Sequence, residues 1–86
     1  MKKNIYYKES GYDKTIYNFF MIDRETKSFV FLNRLNKIDV EPGVVPGELD
    51  RSSDIIRLSK KNFNMCFTQW DGKPLVENHN YTYTGL

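Results

Sequence analysis

No alanine occurs anywhere in the 86 residues. Alanine is the strongest helix former, so the chain lacks the usual filler of helix surfaces, and a helical fold is disfavoured. Cysteine is nearly absent as well. Cys66 stands alone, which excludes an internal disulfide and fits a reducing compartment, so a cytoplasmic location is expected. His79 is the single histidine, with no further ligands of suitable type and spacing near it, so no metal site is expected. No apolar run approaches the ~18 residues of a membrane span, and a membrane association is not expected. The stretch Met1 to Lys8 carries lysines but no apolar core after them, so it does not read as a secretory signal. Nor does one sign of charge dominate. Thirteen Lys and Arg against eleven Asp and Glu leave +2, too weak to indicate a nucleic-acid binder and the wrong sign for an acidic mimic of DNA.

What the chain does have is aromatic side chains at strand spacing: six Tyr, six Phe and one Trp. Aromatic and β-branched residues fit a pleated, half-buried surface. Lys14 to Ile22 alternates with Tyr17, Phe19 and Met21 on one face and Ile16, Phe20 and Ile22 on the other. Both faces are apolar, so this strand is expected at the centre of a sheet or covered on both sides. Asp23-Arg24-Glu25-Thr26-Lys27 reads as the turn into a return strand, Ser28 to Leu35. Asn62 to Trp70 alternates too, with Phe63, Met65 and Phe67 on one face, and runs into Asp71-Gly72, a strong hairpin signal. Asn4 to Lys8 and Tyr81 to Thr84 are shorter strand candidates.

Between them, residues 36–50 carry two Pro-Gly dipeptides and read as an irregular loop, a connector at one end of a barrel. Ser52 or Ser53 can cap a helical turn with Asp54 beside it, so one short helix is expected near Ser52 to Lys60; a short strand from Ile55 to Leu58 is the other reading. The length allows one domain. The expected fold is a single mainly β domain over 1–86, or α+β with one short helix. It is a small twisted antiparallel sheet or partly open barrel of about five strands. Its expected core is Ile16, Phe20, Phe29, Phe31, Phe63, Met65 and Phe67. If Phe31 is buried, Phe31→Ala costs about 3–5 kcal/mol.

Candidate chemistry is thin. Glu77 and His79 share a strand face, but two side chains make neither a metal site nor an acid–base machine. Cys66 is a nucleophile only if His79 approaches it, and its apolar alternating surroundings read instead as core. No CxxC, phosphate loop or serine elbow is present, and Asn80-Tyr81-Thr82 matches a glycosylation acceptor only by accident without a secretory signal. No enzymatic activity and no cofactor are expected.

Binding is the remaining class. The aromatic residues outnumber what so small a core hides, and exposed aromatic clusters mark partner sites. The expected function is that of a non-enzymatic accessory protein that binds another protein. Tyr6, Tyr7, Trp70, Tyr81 and Tyr83 are the expected anchors, with the Pro-Gly loop as an edge of the site. The wealth of Lys, Asn, Ile and Tyr resembles proteins of AT-rich genomes and their phages, which suggests an inhibitor or modulator encoded by a phage or mobile element. The alternative is a single-stranded nucleic-acid module that combines aromatic stacking with a weak basic surface made by Lys2, Lys3, Lys8, Lys60 and Lys61.

Overall fold

A computed structural model describes residues 4–11 and 15–78. Its strands are β1 (Ile5–Ser10), β2 (Ile16–Glu25), β3 (Phe29–Val40), β4 (Gly43–Leu49), β5 (Ile56–Ser59) and β6 (Thr68–Gln69), with one helix, α1 (Lys60–Cys66). They form one antiparallel sheet in the order β4-β3-β2-β1-β6, with β5 beside the first residues of β3, and the sheet does not close into a barrel. The expectation of a small twisted β fold with one short helix agrees with this.

β2 lies between β1 and β3, and its alternation does what two apolar faces require. One face packs Phe20, Val30, Leu32 and Phe63, with Tyr6, Ile22, Leu58 and Phe67 around them. The other packs Phe19, Leu35 and Val44, with Ile5, Tyr7, Met21, Trp70 and Leu75. The first is the helix face, because α1 crosses it with Phe63 against the edge of Tyr6, ring centroids 4.8 Å apart. The second is the strap face. There residues 73–78 run from β4 to the start of β2. Val44 and Leu75 exchange two backbone hydrogen bonds, and Thr15 and Asn78 do the same. Glu77, in that strap, accepts the Tyr17 backbone N–H at 2.8 Å and the Lys37 ammonium at 2.7 Å. The strap passes so close to β4 that a Cβ on Gly43 would fall 2.1 Å from the Leu75 carbonyl oxygen, which leaves room for glycine alone.

Several sequence expectations are corrected. Residues 36–50 are not an irregular loop: β3 continues to Val40, turns at Glu41-Pro42 and returns as β4. The first Pro-Gly pair is split, Pro42 in the turn and Gly43 in the strand. The second lies in an outer strand, where proline's missing N–H is tolerated, and the ladder shifts register between Leu35 and Lys37 to absorb it. The turn expected at Asp23 lies instead at Thr26-Lys27-Ser28, closed by the Phe29 N–H donating to Thr26 Oγ1 at 3.1 Å. Asp23 lies at the register shift between Ile22 and Arg24, a bulge that needs no left-handed residue.

The helix lies beyond the expected Ser52 to Lys60. Ser59 caps it, accepting from the Asn62 N–H at 3.2 Å, and Ile56–Ser59 is strand. Ser52 and Ser53 cap no helix; both hydroxyls donate to Asp50, at 2.6 and 3.0 Å. Helical spacing then makes Phe63 and Phe67 neighbours four residues apart, stacked at 5.2 Å, and turns Met65 outward, 72% exposed rather than core. Cys66 is exposed at the last turn for the same reason, not buried. Asp71-Gly72 makes a turn but not a hairpin, because the chain leaving it joins the strap. Of the expected core, Phe20 and Phe63 are buried, Phe67 packs beside them, and Ile16, Phe29 and Phe31 are only half-buried.

Candidate functional site

Two surfaces stand out, one on each face of the sheet. On the helix face, α1 does not cover the sheet completely. A groove of about 280 Å³ remains beside it, lined by Phe20 of β2, Ile56 and Leu58 of β5, and Asn62, Cys66 and Phe67 of the helix segment. Lys8 of β1 forms its rim, its ammonium 6.0 Å from the centre of the Phe67 ring. Ile56 and Cys66 are exposed in the groove lining. A second groove of about 320 Å³, on the strap face, has Ile5, Met21, Leu35 and Leu49 together with Glu48 and Arg51.

The other surface follows from register. Val30 and Leu32 point to the helix face, so Phe29 and Phe31 point to the strap face. Phe31 pairs with Arg24 on one side and Arg57 on the other, a row across three strands. The bulge at Asp23 brings Arg24 into this row. The Arg24 guanidinium lies over the Phe31 ring at 4.2 Å, and that of Arg57 over Phe29 at 4.8 Å. The strap's hydrogen bonds to Val44, Thr15, Tyr17 and Lys37 lie at the other end of the face. Neighbouring acids are held elsewhere: Asp23 accepts from Asn33 Nδ2 at 3.1 Å, and Glu25 pairs with Lys60 at 3.3 Å. Neither Arg24 nor Arg57 joins an ion pair among the described residues. The result is an open platform of two cation-capped rings whose guanidiniums are engaged in no ion pair among the described residues.

The expected anchors are dispersed. Tyr6 packs on the helix face against Phe63, while Tyr7 packs on the strap face, edge-on to Tyr17 at 5.4 Å. Trp70 packs against Phe19 at 6.0 Å, and its indole N–H donates to the Lys73 carbonyl at 2.8 Å. All three are half-buried, and they do not form one patch. Tyr81 and Tyr83 lie outside the described residues, as do Lys2, Lys3 and His79. Lys8 is on the groove rim, Lys60 is tied to Glu25, and Lys61 is exposed on α1. Sequence reasoning missed Arg24 and Arg57. The signal was available: once Val30 and Leu32 are core, the phenylalanines flanking them face the other way, and only a long side chain from a neighbouring strand can reach them.

Two titrations bear on this geometry. Burial, with Glu9, Tyr7 and Glu77 nearby, raises the pKa of Tyr17. Hydrogen bonds from the side chain and backbone of Ser52 and from the Ser53 hydroxyl lower that of Asp50. Among the described residues no group of three His, Cys, Asp or Glu side chains could hold a metal ion, and no helix is long and apolar enough to cross a membrane. No protein-family model, no curated protein and no solved structure matches the chain.

Proposed function

We propose that this protein acts without catalysis, by binding another protein in the groove beside α1. The observation that carries this reading is an open, mainly apolar groove floored by Phe20 and Phe67, with Ile56 and Cys66 exposed in its lining. Aromatic residues are enriched at the centres of protein interfaces. Lys8 at the rim supplies a polar border. In a chain this small, a groove of that size seats an apolar side chain of a partner rather than enclosing a substrate away from water.

The narrower reading, an inhibitor or modulator from a phage or mobile element acting in the cytoplasm, is supported by the small size, the composition and the single thiol. The test is affinity capture from the native host with the wild-type chain and with Ile56→Glu and Cys66→Glu, both in the groove lining. One specific partner held by the wild type and lost from both variants, with circular dichroism unchanged, is the expected result. A partner retained by both variants would remove the groove from the account.

A further inference from the structure

We propose that the Arg24–Phe31 and Arg57–Phe29 platform is a second, independent site that binds single-stranded nucleic acid. Each guanidinium lies over a phenylalanine ring, its carbon 4.2 and 4.8 Å from the ring centre, and both arginines are exposed. A nucleobase stacks on a guanidinium plane as it does on an aromatic ring. The two rings that carry the guanidiniums, Phe29 and Phe31, are two residues apart on β3, a spacing of about 6.6 Å, so two stacking positions lie side by side. Successive bases of an unpaired strand can occupy them; a duplex, whose bases stack on each other, cannot.

The charge points the same way. With Asp23 bound to Asn33 and Glu25 bound to Lys60, both guanidiniums keep N–H groups for phosphate oxygens, and exposed Lys27 follows in the adjoining turn. The site differs from the lysine surface expected from sequence, because Lys8 lies on the opposite face and Lys60 is paired. Stacking on a guanidinium reads no sugar, so deoxythymidine and uridine strands should bind alike.

The experiment is fluorescence anisotropy with a labelled oligo(dT) strand and the full chain, between low and physiological salt. The wild type should bind, with log K falling linearly against log salt. Arg24→Gln with Arg57→Gln should weaken binding at least ~tenfold and flatten that slope by about 1.4, the share of two phosphates on a single strand. Arg24→Lys with Arg57→Lys keeps the charge but loses the plane. It should preserve the slope and still lose affinity, and it guards against a Gln variant that fails to fold. Three outcomes would overturn the proposal. These are no binding by the wild type at low salt, both double variants binding like the wild type, and displacement of the oligonucleotide by poly-glutamate as readily as by unlabelled oligo(dT). The last would assign the platform to acidic proteins. The groove on the helix face is untouched by these substitutions, so its own test stands apart.

Discussion

Phe19 and Phe31 lie on the same face of the same sheet, in neighbouring strands, yet their surroundings differ completely. Phe19 is 0% exposed, enclosed by Trp70, Tyr7 and the strap's Leu75. Phe31 is half-buried, and a guanidinium is what lies over its ring. The difference does not arise in the strands, which alternate equally well at both ends. It arises from what crosses them. A strap held by two backbone bridges and one carboxylate converts one end of the face into core, and the other end stays open to partners.

The largest effect should come from breaking the closed end directly. Phe19→Ala should cost about 3–5 kcal/mol in urea denaturation, because the rings and the strap around it cannot collapse into the space. Next comes the strap's fastening. Glu77→Ala leaves the Tyr17 N–H without this acceptor and removes the partner of Lys37, at a carboxylate only 9% exposed. The expected loss is about 1–3 kcal/mol, with faster amide exchange at Tyr17 than at Arg57. An equal change in exchange at both residues would show that the two ends are not separable.

Alkali sharpens the comparison further. The raised pKa of Tyr17 means that the folded chain holds the phenolic proton longer than the unfolded chain. Its contribution is therefore complete below the ordinary value of 10.0 and is lost as pH rises from there through the folded value. Thermal melts should decline over that range, and Tyr17→Phe should remove part of the decline. The smallest effect lies in the turn after β4. Asp50 has a lowered pKa, so its contribution is complete above 3.8 and is lost as pH falls through the folded value. Loosening of residues 50–53 in acid, seen as earlier amide exchange at Ser52 and Ser53, should be absent in Asp50→Asn.

How much of this was legible in the sequence depends on the element. The central strand was, because both of its faces are apolar and only a central, doubly covered strand explains that. The hairpin Ser28 to Leu35 was legible too, apart from its turn, since a bulge at Asp23 moves the reversal three residues on without needing any special residue type. The helix was not. Phe63, Met65 and Phe67 satisfy a period of two, while Phe63 and Phe67 alone satisfy the helical spacing, and the Ser59 cap that decides between them is a weak signal. β4 was hidden by its prolines, which mark turns in most settings but are tolerated on an outer strand. The platform was hidden because alternation assigns residues to faces without saying which part of a face another segment will cover.

The central claim is that the Phe31 end is an open surface rather than core, and the direct test is the urea-denaturation stability of Phe31→Ala. An open platform predicts a loss below about 1.5 kcal/mol, the worth of a partly exposed ring and its cation contact. A loss of about 3–5 kcal/mol, matching that of a fully buried phenylalanine, would contradict it.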